Sequence, residues 1–169
     1  MHALLLALAL SPSAHAGWQN KVKELSDIEF DHYYALRAYM NDDQKKAYLK
    51  LKTEEERDQY LKDLGLWDRF YQYDDATRAL IISGKVEVGW TKDMVEMAWG
   101  VPFDKRRLAG RHAQRSELWV YRFEQQKDGG VLIWEPGSKT QYKATRLFER
   151  SLTLDDDKVV SMEEAEAAF

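Results

Sequence analysis

A chain of 169 residues with 44% hydrophobic and 12% aromatic side chains can bury one packed domain, or one domain with a helical extension, which excludes wholesale disorder. Its formal charge of −4, from 25 Lys+Arg against 29 Asp+Glu, offers no basic stripe of the kind nucleic acid selects, so no nucleic-acid partner is expected. No cysteine occurs, which removes disulfides, thiol nucleophiles, Cys-type zinc sites, iron–sulfur ligation and anchoring through a lipidated cysteine.

In chain order, Ala3 to Leu10 is an unbroken run of Ala and Leu, stopped by Ser11-Pro12-Ser13 and followed by the small-x-small site Ala14-His15-Ala16. A run this short cannot span a bilayer, and the pattern is that of a secretory leader, although Met1-His2 carries no basic residue. Residues 1–16 are therefore expected to be a cleavable signal peptide, leaving a periplasmic or secreted chain from Gly17-Trp18. The alternative is an apolar N-terminal helix in the core. No later stretch is apolar enough to cross a membrane.

Residues 17–84 read as helical. Ser26 with Glu29 forms a capping box ahead of Phe30, Tyr33, Tyr34 and Leu36 at helical spacing. Asn41-Asp42-Asp43-Gln44 opens a segment ending in Tyr48-Leu49-Lys50, and Thr53-Glu54-Glu55-Glu56 opens a similar one ending in Tyr60-Leu61-Lys62. In each, an N-cap and first-turn carboxylates suit the positive end of the helix dipole. The second is expected to continue through Leu66, Trp67 and Phe70 with a kink at Gly65. Asp74 or Asp75 then caps a helix over Ala76 to Ile82, closed by Gly84.

From Lys85 the pattern changes. Thr91 caps a helix to Trp99 with Met94, Val95 and Ala98 on one face, and Gly100 and Pro102 end it. Glu117 to Phe123, Val131 to Trp134, Tyr142 to Leu154 and Lys158 to Met162 read as strands, separated by Lys127-Asp128-Gly129-Gly130 and Asp155-Asp156-Asp157 as turns. The acidic tail 163–169 is expected to be a frayed helix or disordered. Helices followed by a three- or four-stranded antiparallel meander make an α+β fold, with Trp99, Trp119 and Phe148 at its core.

Gly89-Trp90-Thr91, the helix carrying Val95, Gly100-Val101-Pro102, the strand element Trp119-Val120-Tyr121 and the acidic turn before Lys158-Val159-Val160 stand in the order of one family. Residues 85–162 resemble the BamE-like (SmpA/OmlA) domain, two helices on a three-stranded antiparallel sheet. Gly89, Thr91, Val95, Gly100, Pro102, Trp119 and Tyr121 are its fold-motif positions. The resemblance implies a protein-binding or assembly module of the outer membrane with another envelope protein as partner. The best-known members are lipoproteins, and without a lipobox cysteine their anchoring is not carried over. The helical half resembles bacterial GWxTD-type exported domains at Glu55-Glu56-Arg57, Leu66 to Phe70 and Gly89 to Asp93.

Chemistry-bearing patterns are sparse. Beyond the leader only His32 and His112 remain, and a lone helical histidine with no second ligand at metal spacing reads as a surface residue. Asp155-Asp156-Asp157 lacks calcium-loop spacing, the paired acids Asp42-Asp43 and Asp74-Asp75 read as helix caps, and no serine stands in a Gly-x-Ser-x-Gly context. No catalytic residue, metal or cofactor is expected. The candidate binding residues are Lys105, Arg106, Arg107, Arg111 and Arg115, with His112, in the loop before the Trp119 strand. They would dock an acidic partner or acidic lipid headgroups. An exported inhibitor or ligand-binding module of the β-lactamase-inhibitor-like type is the alternative.

Overall fold

The computed structural model describes residues 6–8, 21–109, 116–137 and 144–167. A short strand β1 (Leu6–Leu8) precedes helices α1 (Asp27–Leu36), α2 (Asp42–Lys50), α3 (Glu54–Asp63), α4 (Trp67–Tyr71), α5 (Asp75–Ile82) and α6 (Lys92–Trp99), with one 3-10 turn, Arg37–Tyr39, after α1. Strands β2 (Asp104–Arg107), β3 (Glu117–Gln126), β4 (Val131–Ile133), β5 (Ala144–Asp155) and β6 (Lys158–Glu166) follow, so the fold is α+β with helices before sheet.

The helix starts are chemical. Ser26, Asn41 and Thr53 each accept the N–H three residues on, while Glu29, Gln44 and Glu56 reach back to complete capping boxes. Asp74 and Thr91 cap α5 and α6 in the simpler way. Gly65 takes a φ of +68°, and α3 ends at Asp63. The expected continuous helix is thus two, α3 and α4, because a left-handed residue stops a helix rather than kinking it.

β3 lies at the centre of the sheet. β5 runs antiparallel along one side of it, while β2 and β4 share the other, with pairs Lys105↔Trp119 and Phe123↔Ile133. β6 extends the sheet beyond β5, and β1 lies beyond β4 as the one parallel neighbour, Leu6↔Val131 to Leu8↔Ile133. The apolar segment at Leu6–Leu8 is extended, not helical. The rest of residues 1–16 lies outside the described residues.

Among the described residues the antiparallel part has five strands rather than three or four. β2 was hidden because Asp104-Lys105-Arg106-Arg107 has no β-type side chain, and its pairing with β3 rests on backbone bonds together with Lys105 against Glu117 and Trp119. β6 runs through Glu166, so residues 163–166 of the acidic tail are strand and not frayed helix, and residues 168–169 lie outside the described residues. Its carboxylates have partners across the ladder: Glu164 accepts from Arg146 and Arg150, and Glu166 from Arg146.

One core cluster runs through helices and sheet. Trp119, Tyr121 and Phe123 alternate onto the helix-facing side of β3, as period-2 geometry requires, and meet Leu152, Phe148 and the edge of Trp99. Phe123 and Phe148 stack at 5.0 Å. Trp99, Trp119 and Phe148 are all buried, as expected from sequence.

α6 is held at both ends. At its start, the Gly89 N–H donates to Val159 O and the Lys92 N–H to Asp157 O, tying it to the β5–β6 hairpin. At its end Gly100 adopts φ +81° and ψ −160°, a region that side chains avoid. Gly100→Ala is therefore expected to destabilise the chain by about 1–3 kcal/mol, read as a lower urea midpoint with an unchanged slope. A Cβ there would also stand 3.4 Å from Arg37 Nη2.

Candidate functional site

The basic cluster expected in a loop lies partly on the edge strand β2, where Lys105, Arg106 and Arg107 are all exposed. Lys105 Nζ stands 3.5 Å from Glu117 and 4.7 Å over the Trp119 ring, and Arg106 Nε is 2.9 Å from Asp104. Arg107 pairs in register with Glu117. Burial works against the Glu117 charge. The Trp119 indole N–H at 2.8 Å, with Lys92 and Lys105, nevertheless holds its carboxyl below the usual range. Part of the basic charge is thus spoken for within the strand pair. Arg111, His112 and Arg115 lie outside the described residues.

The family-type positions are structural in their contacts. Thr91 caps α6 and bridges Lys158, Val95 is fully buried in the α6 face, Pro102 is buried, and Trp119 and Tyr121 fill the sheet core. Gly89, at φ +93°, makes the turn whose N–H reaches β6.

A second centre forms where α6 ends. Its last carbonyls lack partners within the helix and take side-chain donors instead. The Tyr34 hydroxyl donates to Ala98 O, Arg37 Nη1 to Met97 O at 3.3 Å, and the Tyr121 hydroxyl to Gly100 O at 2.9 Å. Arg37 Nη1 also donates to Tyr34 O, and the guanidinium lies 4.0 Å over the Tyr34 ring. Beside it opens a cleft of about 250 Å³, with Met40, Lys45, Trp99, Ile133 and Glu135 among its walls.

A third cluster overturns the surface reading of His32. The imidazole is 1% exposed, with Nε2 at 2.6 Å from the Tyr71 hydroxyl and Nδ1 at 3.4 Å from Asp58. Trp67, Phe70 and Tyr71 meet it edge-on. Next to it, Glu29 accepts from Arg57, and the Tyr48 hydroxyl donates to Glu29 O. The line Asp58–His32–Tyr71 pins α1, α3 and α4 together. The contact of Nδ1 with Asp58 falls short of a hydrogen bond, so the three groups form no continuous relay, and burial lowers the affinity of His32 for a proton and raises that of the Tyr71 phenolate. Both groups are therefore neutral near pH 7.

Sequence reasoning missed this cluster, yet a signal was present. Glu29 and His32 stand three apart on the stripe that also carries Leu36, and polar residues at core positions demand buried partners. Among the described residues no group of three or more His, Cys, Asp or Glu could hold a metal ion, and no helix is long and apolar enough to cross a membrane. No family model, curated protein or solved structure matches this chain.

The His32 environment fixes a pH dependence. Burial is the largest influence and disfavours the imidazolium, Arg78 adds to it, and Asp58 and Glu29 oppose it, leaving the group below its ordinary 6.5. The unfolded chain then binds the proton more readily, so this stability is present above pH 6.5 and lost as pH falls through the folded value. His32→Gln is expected to flatten the stability–pH curve below pH 6.5 in urea titrations, whereas equal slopes in both chains would show that His32 does not titrate there.

Proposed function

We propose that this chain is a non-catalytic binding protein of the cell envelope, of the BamE-like kind, which docks an acidic extended segment of another envelope protein along β2. The observation that carries the reading is the edge position of β2. Among the described residues it pairs with β3 alone, while Lys105, Arg106 and Arg107 project from it. An unpaired strand edge offers backbone donors and acceptors to an incoming strand, and side chains of one sign select the sign of the partner. The leader-like Ala3 to Leu10 run with Ala14-His15-Ala16 supports export. The order Gly89, Thr91, Gly100, Pro102, Trp119 and Tyr121 supports the BamE-like reading, and no cofactor belongs to it.

Charge alone also protects an edge from aggregation, so the reading needs a test that separates docking from protection. A photo-crosslinking residue in place of Arg106 is expected to capture one envelope protein in intact cells. Lys105→Glu with Arg107→Glu should lower its recovery about tenfold or more, the effect of turning attraction into like-charge repulsion. Unchanged recovery overturns the reading. So does binding to anionic phospholipid vesicles with no protein adduct, which would make β2 a lipid-facing surface. Mass spectrometry of the periplasmic fraction is expected to find a chain beginning at Gly17.

A further inference from the structure

A cation as deeply buried as Arg37, 5% exposed, ordinarily faces a carboxylate. Arg37 does not. Among the described residues its hydrogen bonds to carbonyls are both made by Nη1, to Tyr34 and Met97, and the guanidinium also acts on the Tyr34 hydroxyl. Those carbonyl dipoles hold the guanidinium in place without cancelling its formal charge. Nη2 and Nε bond no protein carbonyl or carboxylate among the described residues, and Arg37 lines the cleft of about 250 Å³ at the end of α6. The approach to Nη2 is kept open by Gly100, where any β-carbon would stand 3.4 Å away.

The rest of the cleft supplies the complement. Lys45 lines it too, and among the described residues the only ion pair of its ammonium is a long 3.7 Å contact to exposed Asp42, of a kind worth little in water. Among the described lining residues Glu135 is the one carboxylate and forms no ion pair with either cation, so these two cations and one carboxylate leave one positive charge. Trp99, Met40 and Ile133 give an apolar floor. The volume lies below the usual range for drug-sized ligands, which limits the occupant to a single ring or a short chain.

We infer that this cleft binds a small organic monocarboxylate, its carboxylate on Arg37 Nη2 and Nε with Lys45 and its apolar body against Trp99, Met40 and Ile133. The chemistry follows from the fork. A planar carboxylate matches two adjacent guanidinium N–H groups, and the carbonyl bonds on Nη1 fix the fork before the ligand arrives. Glu135 disfavours a second anionic group. This site is independent of how β2 is used.

The probes are phenylacetate and hexanoate against phenylacetamide and inorganic phosphate, titrated into the full chain and followed by ¹H–¹⁵N NMR. The two carboxylates are expected to shift the Trp99 indole and Gly100 amide resonances saturably at millimolar or lower concentration, while the amide and phosphate leave them still. Lys45→Met should weaken carboxylate binding about tenfold, the loss of one charge-assisted contact, without changing the melting temperature. Arg37→Lys, which keeps the charge but not the fork, should weaken it further. Because Arg37 also braces α6, the Lys45 variant keeps the test decisive if Arg37→Lys misfolds. Equal shifts from phenylacetamide or phosphate, no saturable shift from either carboxylate, or unchanged affinity in Lys45→Met would each overturn the inference.

Discussion

Everything in this molecule is arranged around the two ends of α6, an eight-residue helix between the other helices and the sheet. A helix that short has a large share of its backbone groups unpaired within itself, and burying them unsatisfied costs about 1–3 kcal/mol each. The chain meets that demand from three directions. Tyr34 and Arg37 reach from α1 and its following turn, Tyr121 from β3, and the β5–β6 hairpin takes the N-terminal side. The same bonds fix Trp99, whose indole N–H donates to Gly84 O while its ring packs on Tyr121 and Phe123. Helix-to-sheet geometry is thereby set by polar contacts inside an apolar core.

Local chemistry was legible in the sequence, and non-local chemistry was not. Ser26 with Glu29, Asn41 with Gln44 and Thr53 with Glu56 act across three residues, so each helix start can be read from its own segment. The aromatic alternation of β3 and the turn at Asp155-Asp156-Asp157 were legible for the same reason. That turn is a two-residue loop with positive φ at Asp156 and Asp157, of the kind that matches strand twist. His32 was misread because its partner Tyr71 lies 39 residues away, so its place on the stripe with Glu29 and Leu36 shows that it needs a buried partner but not which one. Arg37 was missed entirely. In sequence it is one more cation at a helix end, and only the convergence of α1 and α6 buries it.

Charge obscured the sheet edges in a related way. β2 is a strand by backbone pairing and an acid-and-base tetrapeptide by composition, and Glu163 to Glu166 resembles a solvated tail until Arg146 and Arg150 face it. Those arginines also roof the stacked Phe123–Phe148 pair, with Arg150 at 5.1 Å from the Phe123 ring and Arg146 at 4.5 Å from Phe148. Long basic side chains lend their stems to cover apolar surface beside the helix residue Trp99, over which Arg150 also lies at 5.5 Å. The acidic residues across the ladder then hold the basic heads in that pose. Composition rules treat charge as surface, whereas here it closes the open end of the core.

The roles of Arg37 explain why a structural brace and a binding group can be one residue. A guanidinium has five donors, and the two carbonyl bonds at Nη1 fix the plane without exhausting it. A side chain so fixed has already lost the rotamer freedom that a flexible surface arginine would lose on meeting a ligand. The contrast with β2 is instructive, because its arginines stand exposed to solvent rather than braced in the core. Rigid placement by the fold favours small, shape-specific ligands at the α6 end. Exposed cations in a row along a strand favour a long partner that can spread the ordering cost over many contacts.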